Sequence, residues 1–303
     1  MKLVTVHNPL TKDIHLGVKL EDAVFDVTTA LTLVPEEGIP SDIMEIINAH
    51  TSLLPKIEAY VARVLESQVD LKQILHVESD VTYGPCVPQP GKIICVGLNY
   101  RQHAIETNAP IPAYPILFNK FSNTITSHGD DIPLPNRVTS QVDYEAELVI
   151  VIGKQAKYVA KDQALDHVFG YCNVNDLSAR DLQMRTQQWL LGKSCDKFSP
   201  LGPYLVTADE VGDPNKLEIK CTVNGEVRQH SNTSDMVFHC DEIVSYISQY
   251  MTLSPGDIIL TGTPEGVVLG KPVDQRVYLK HGDIVTIEIE KLGALTNRMV
   301  DEE

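Results

Sequence analysis

The sequence predicts an α+β protein: a small N-terminal α/β unit, residues 1–84, followed by a large mixed-sheet domain, residues 91–303. Three observations predict it. The first unit holds short β-like runs followed by helical patterns. The segment from Tyr83 to Gly91 then carries three prolines and two glycines, which continue neither a helix nor a central strand. The C-terminal third is mostly strand, without the strand–helix alternation of a parallel α/β sheet.

In the N-terminal unit, Leu3 to Val6, Ile14 to Leu20 and Val24 to Val27 read as strands separated by Asn-Pro and acidic turn chemistry. Ile43, Met44, Ile46 and Ile47 form one short apolar helical face. Leu54, Ile57, Val61, Val64 and Leu65 recur at the three- and four-residue spacing of an amphipathic helix. After the break, Lys92 to Val96 reads as a buried strand ending in Gly97-Leu98-Asn99-Tyr100. The prolines at 110, 112, 115, 133 and 135 make 108–142 a largely irregular connection around the apolar run Ile116 to Phe118. A strand from Asp143 to Gly153 follows, then a helix at about Lys161 to Asp166 and a strand from Val168 to Val174 that ends in Asn175-Asp176. Ser178 is placed to cap a helix through Met184, with Asp181 as partner. Further on, Tyr204 to Thr207, Leu217 to Val223, Ile258 to Thr261 and Ile284 to Glu290 read as strands, and Asn224-Gly225 marks a hairpin turn. One amphipathic helix, about Asp241 to Met251, interrupts them.

With 303 residues the chain can bury a sizeable core, and its formal net charge of −16 disfavours nucleic acid or an anionic membrane as partner. An anionic ligand therefore needs a local positive centre. No apolar run is long enough to span a bilayer, and Met1 to Leu10 lacks a signal-peptide layout, so a cytoplasmic location is expected. The six cysteines include no Cys-x-x-Cys pair, which points to free thiols rather than to zinc or a redox motif.

The strand from Asp143 is the chemically informative element. Its second half is continuously apolar and therefore buried, while Asp143, Glu145 and Glu147 alternate onto one face at its start. Carboxylates two residues apart sit roughly 6–7 Å from each other at Cα and can share one hard cation; a solvated acidic edge is the other reading. Asp176, at the next strand end, is either a turn residue or a third carboxylate. All-oxygen ligation suits Mg²⁺ or Mn²⁺. His103 and Glu106, three apart, share a face if Tyr100 to Glu106 is helical, and are either a water-activating pair or an ordinary surface pair. Lys193 and Lys197 lie in a turn-rich segment and are surface lysines unless one is brought beside a carboxylate site. Thr261-Gly262-Thr263-Pro264-Glu265-Gly266 is either a tight turn or a loop whose backbone approaches a ligand.

Taken together, residues 92–299 resemble the fumarylacetoacetate hydrolase family. The resemblance is carried by Val96-Gly97-Leu98-Asn99-Tyr100-x-x-His103-Ala104-x-Glu106, Glu145-Ala146-Glu147-Leu148, Asn175-Asp176 through Gln183, Lys193-Ser194, Thr233-x-x-Met236 and Thr261-Gly262-Thr263-Pro264. It implies a mixed β-sandwich roll, a homodimer, Mg²⁺ or Mn²⁺ on Glu145, Glu147 and Asp176, and catalytic roles for His103, Glu106 and Lys193. Substrate contacts are implied near Arg180, Gln183 and Thr263; Asp143 matches no ligand position. The N-terminal unit and the Gly192-Lys193-Ser194-Cys195-Asp196-Lys197-Phe198 run resemble the branch with bacterial oxaloacetate decarboxylases and 2-hydroxyhepta-2,4-diene-1,7-dioate isomerases. Leu98 stands where other branches carry Arg. The implied activity is metal-dependent C–C cleavage of a small 2-oxo acid, by decarboxylation or by hydrolysis. Isomerisation of a hydroxylated diene-dioate is the enzymatic alternative, and a non-catalytic metabolite-binding protein the alternative from another class.

Overall fold

The computed structural model describes residues 1–8, 11 and 13–302. The N-terminal strands are β1 Lys2–His7, β2 Ile14–Lys19, β3 Ala23–Asp26 and β4 Leu75–Val77, with helices α1 Val27–Leu33, α2 Ile43–Asn48 and α3 Leu54–Leu65 between the last two. The central strands are β5 Ile93–Gly97, β6 Ile116–Lys120, β7 Ile125–Ser127, β8 Asp131–Leu134, β9 Val142–Asp143, β10 Ala146–Ile152, β11 Val168–Asn175 and β12 Ser178–Ala179, joined by α4 Arg101–Glu106. After them come α5 Arg180–Gln183, α6 Leu190–Lys193, β13 Ser199–Thr207, α7 Ala208–Val211, β14 Glu218–Val223, β15 Glu226–Asn232, α8 Cys240–Tyr250, β16 Ile258–Leu260, β17 Ile284–Ile289 and β18 Gly293–Asp301.

These strands form a mixed, sheet-rich α+β structure. One eleven-stranded sheet runs β4-β3-β2-β1-β13-β11-β10-β16-β5-β6, with β7 beside β13, and a five-stranded sheet runs β15-β14-β17-β18-β8. Most ladders are antiparallel; β5 with β16, β7 with β13 and β8 with β18 are parallel.

The position of β10 follows from its composition. A strand with one wet face alternates polar and apolar residues, whereas every residue of β10 is buried. Leu148, Ile150 and Ile152 join the core between the two sheets, with Ile219 and Cys221 of β14 and Val285 and Ile287 of β17. Val149 and Val151 point to the other face, where Ile43, Ile46 and Ile47 of α2 and Ile57 and Val64 of α3 cover them. Burying each such side chain stabilises the fold by about 1.5–3 kcal/mol. The N-terminal elements therefore share an apolar layer with the large sheet, and β1 continues that sheet by pairing with β13 through Lys2–Val206 and Leu3–Leu205.

Several local expectations change in the folded chain. The connection 108–142, expected to be irregular because of its prolines, contains β6, β7 and β8; Pro110, Pro112 and Pro115 precede β6, Pro135 follows β8, and Pro133 lies within β8, an edge strand of its sheet. Ser178 does not cap a helix: its hydroxyl donates to Glu145 Oε1 at 3.2 Å, and the helix after it is the single turn α5, with Asp181 accepting from Thr139 Oγ1 and Leu182 N. The helix expected at 161–166 is a 3₁₀ segment, Lys161–His167. The turn at Asn224-Gly225 has both residues at positive φ, 53° and 81°, as a two-residue hairpin requires. The Asn-Pro turn after β1 extends to Pro9, which lies outside the described residues.

Candidate active site

The strand from Asp143 is interrupted at Tyr144 and Glu145, between β9 and β10. The interruption leaves two backbone N–H groups without ladder partners, and buried donors must be satisfied. Asn175 Oδ1 accepts from Glu145 N at 3.0 Å and Gln229 Oε1 from Ala146 N at 2.9 Å. The break also separates the three acidic residues. Glu145 and Glu147 converge with Asp176, their carboxylate oxygens lying within 4.8 Å of one another. Asp143 instead accepts from Arg180 Nε at 2.8 Å and from the backbone N–H groups of Val268 and Leu269 at 3.0 and 3.1 Å.

All four carboxylates are buried, so their charge must be met locally. Lys193 Nζ bridges Glu145 Oε2 and Asp176 Oδ2, at 2.7 Å each; Arg180 Nη1 reaches Glu145 Oε1 at 2.7 Å; Lys120 Nζ reaches Asp176 Oδ1 at 2.5 Å. Four buried carboxylates thus face three buried cations. The carboxylate left over is Glu147, whose Oε2 accepts only the Gly262 N–H, at 2.8 Å. Burial, reinforced by the charges of Asp176 and Glu145, pushes its carboxyl well above the usual carboxylate range. Burial acts on Glu145 in the same sense, but Lys193 and Arg180 outweigh it and bring that carboxyl down to about 2. Lys193 in turn is raised above the usual lysine range: burial opposes its charge, and Asp176 and Glu145 override that opposition.

A Mg²⁺ or Mn²⁺ ion fits this donor set. The three converging groups offer oxygen only, and the cluster is one positive charge short when Glu147 ionises. Glu145, Glu147 and Asp176 are the residues that would hold it.

Beside the carboxylates opens a cavity of about 510 Å³. Eight of the nine residues singled out in the sequence line it: His103, Glu106, Glu145, Glu147, Arg180, Gln183, Lys193 and Thr263. Asp176 is wholly buried and meets the site through Lys193 and Lys120. On α4, His103 Nδ1 is 2.8 Å from Glu106 Oε1, so Glu106 fixes the tautomer that leaves Nε2 as the basic nitrogen. Glu106 is held from its other side by Gly266 N, at 2.9 Å. Arg180 also donates through Nη1 to Gln183 Oε1 at 2.9 Å, and its buried Nη2 has no partner among the described residues. Thr263 Oγ1 accepts from Gln229 Nε2 at 2.8 Å, which leaves its own proton free to donate.

Lys120 and Gln229 were missed by sequence reasoning. Lys120 ends an ordinary-looking strand, and Gln229 lies in a hairpin arm with no motif around it; neither carries a sequence signal that a surface residue would lack. Close packing of small residues supplies the rest of the frame. A Cβ on Gly97 would lie 2.4 Å from the Trp189 ring, which also lines the cavity, and one on Gly192 would lie 2.4 Å from Gln183 N, so α6 sits as near α5 as backbone allows. Lys197, the second lysine of that segment, donates to Asp131 O outside the site.

Residues 92–300 match the family model for the fumarylacetoacetate (FAA) hydrolase C-terminal domain. A mitochondrial oxaloacetate tautomerase of Bos taurus is 43% identical over 305 residues, covering 99% of this chain and 92% of the relative. The crystal structure of 2-hydroxyhepta-2,4-diene-1,7-dioate isomerase from Mycobacterium marinum superposes with a TM-score of 0.74 at 31% identity, over 100% of this chain and 99% of that one. That of maleylpyruvate hydrolase from Sphingobium sp. SYK-6, in complex with manganese(II) ion and pyruvate, does so with a TM-score of 0.79 at 29% identity, over the whole of both chains. With its C-terminal two thirds matching the family model and nearly its whole length alike to the bovine relative, the chain belongs to the fumarylacetoacetate hydrolase family.

Proposed function

We propose that this chain is a Mg²⁺- or Mn²⁺-dependent enzyme that enolises a small 2-oxo acid of the oxaloacetate type, with keto–enol tautomerisation as its reaction. The observation that carries the reading is His103, a base with a fixed tautomer, facing the same cavity as Glu145 and Glu147, two of the three converging carboxylates. A divalent cation on Glu145, Glu147 and Asp176 would supply Lewis-acid polarisation of the 2-oxo group. The protein's own residues do the rest. His103 Nε2 accepts the proton from the carbon next to the carbonyl, and Glu106 stabilises the imidazolium that forms. The free Nη2 of Arg180 and the hydroxyl of Thr263 orient the carboxylate and the developing enolate oxygen. Lys193 bridges Glu145 and Asp176 and holds both carboxylates in place. Returning the proton to oxygen or to carbon completes the tautomerisation without any other reactant. The bovine oxaloacetate tautomerase, alike over nearly the whole of this chain, supports the substrate.

Cleavage of a C–C bond is the second reading, and the His103–Glu106 hydrogen bond favours it, because the same pair can deprotonate a water for hydrolysis of an acylpyruvate. Decarboxylation of oxaloacetate would pass through the same enolate. One experiment separates these: enol-form oxaloacetate is mixed with the protein and Mg²⁺, Mn²⁺ or chelator, while enol absorbance and released CO₂ are followed together. Faster loss of enol absorbance without CO₂ supports tautomerisation; CO₂ release in step with it supports decarboxylation; neither, with acetylpyruvate cleaved instead, supports hydrolysis. No turnover of any of them would leave the metabolite-binding reading in its place. We further propose a homodimer, testable by sedimentation. Cytoplasmic placement also stands as a proposal beside the mitochondrial description of the bovine relative, and fractionation decides between them. Among the described residues no helix is long and apolar enough to cross a membrane.

A further inference from the structure

Four side chains with permanent positive charge line the cavity: Arg180, Lys193, Lys271 and Arg276. The first two are committed to buried carboxylates. Lys271 and Arg276 are not: among the described residues neither pairs with a carboxylate. Arg276 is held by backbone alone, Nε donating to Lys271 O at 3.0 Å and Nη2 to Leu269 O at 2.8 Å. Both bonds lie on one side of the guanidinium, and Nη1 remains free. In a chain of net charge −16, two unpaired cations on one cavity wall form a local positive centre against the general field.

The segment that carries them is anchored to the site. Gly266 N donates to Glu106, Val268 N and Leu269 N donate to Asp143, and Tyr144 Oη donates to Gly266 O at 3.0 Å. Asp143 also takes the Nε of Arg180, the residue that grips Glu145. Carboxylates of the catalytic frame therefore determine where Lys271 and Arg276 stand relative to the 2-oxo acid end of a ligand. This accounts for Asp143, a buried carboxylate outside the converging three: it ties the cation-bearing segment to the reacting end.

We propose that Lys271 and Arg276 form a subsite for a second carboxylate, so that the enzyme selects 2-oxo dicarboxylates over 2-oxo monocarboxylates. Arg276 presents planar N–H donors to that group, and Lys271 adds a mobile charge. The inference rests on the function proposed above for the reacting end, and its test is built to fail separately from that reading.

The test compares oxaloacetate with 2-oxosuccinamate, which replaces the distal carboxylate by a neutral amide of the same size. Wild type, Arg276→Gln, Arg276→Lys and Lys271→Gln are assayed with Mg²⁺. The expected result for Arg276→Gln is a KM for oxaloacetate raised by about 10- to 100-fold, with kcat little changed and the amide's KM within about twofold, since binding common to ground and transition states is lost. Arg276→Lys should recover part of the loss. Lys271→Gln removes a side chain whose ammonium makes no hydrogen bond or ion pair among the described residues and should show a smaller selective rise, so a misfolded loop cannot mimic the effect. An independent readout is the fluorescence of the only tryptophan, Trp189, which lines the cavity. Titrated with 2-oxoglutarate and with 2-oxobutyrate, wild type should bind the dicarboxylate more tightly, and Arg276→Gln should abolish the difference. Equal losses for charged and neutral ligands, or no preference in wild type, would overturn the subsite while leaving the enolisation reading intact. An Arg276-dependent preference in binding without turnover of any 2-oxo acid would support the subsite and overturn the reaction.

Discussion

Glu145 and Glu147 are equally buried and two residues apart, yet their surroundings assign them different burdens. Glu145 neutralises Arg180 and Lys193, so Glu145→Ala leaves two buried cations short of a partner and should cost about 3–5 kcal/mol of stability, measured by denaturant unfolding. Glu147 meets no cation, and its carboxyl is already held toward the neutral form. Glu147→Gln keeps an acceptor for Gly262 N and should change stability by less than about 1 kcal/mol. Both variants should lose Mn²⁺ binding in a calorimetric titration; a Glu147→Gln protein that binds Mn²⁺ as wild type does would remove Glu147 from the proposed ligand set. His103→Ala should lower kcat for enol–keto conversion by about 10²- to 10⁴-fold, the range of a lost general base, with little change in melting temperature. A rate within twofold of wild type would assign the proton transfer elsewhere.

At the scale of elements, the site depends on how closely the 262–276 segment approaches α4. A Cβ on Gly270 would come within 2.5 Å of the Glu106 carboxylate, the mobile end of a side chain rather than fixed backbone. Gly270→Ala should therefore push Glu106 off His103 and reduce kcat by about 10-fold while shifting the melting temperature little, as steady-state rates and a thermal melt would show. The segment also marks how far the site could be read without a structure. His103 and Glu106 were legible because a helix turn maps a three-residue spacing onto one face, and α4 is that turn. Glu145 and Glu147 were legible from alternation, but grouping Asp143 with them assumed an unbroken strand; the interruption at Tyr144 and Glu145 turns Asp143 to Arg180 instead. Lys120, Gln229 and Arg276 come from three separate elements and share no sequence period with the others, so only their convergence reveals them.

The whole molecule is joined where the N-terminal strands meet β13. Near that seam Glu78 accepts hydrogen bonds from Tyr83 and Tyr204 and pairs with Lys19 at 3.1 Å. Burial tends to raise its carboxyl, but these donors prevail and lower it below the ordinary glutamate value. A carboxyl with a depressed folded-state pKa stabilises the fold above its unfolded pKa and loses that contribution as pH falls through the folded value. Wild type should therefore melt higher than Glu78→Gln at pH 7, and the gap should close as pH drops below about 4. A gap unchanged in acid would mean that Glu78 acts there through packing rather than charge. Because the helices α2 and α3 cover Val149 and Val151 of β10, loosening this seam should also disturb the sheet that carries the site.

Local sequence pattern by itself determined the strands with a continuous apolar run, the helices α2 and α3 but not α1, the hairpin at Asn224-Gly225 and the local pairs His103–Glu106 and Glu145–Glu147. Each rests on neighbours within a few residues, where backbone geometry alone fixes which side chains share a face. The tertiary structure decided which carboxylate is paired and which is not, that β1 extends the large sheet through β13, and that Lys271 and Arg276 line the same cavity as Glu145 and Glu147 with no carboxylate partner among the described residues. Those outcomes depend on burial and on charges brought together from distant parts of the chain: desolvation makes each unpaired charge costly, and only the assembled fold shows where the compensating charge lies.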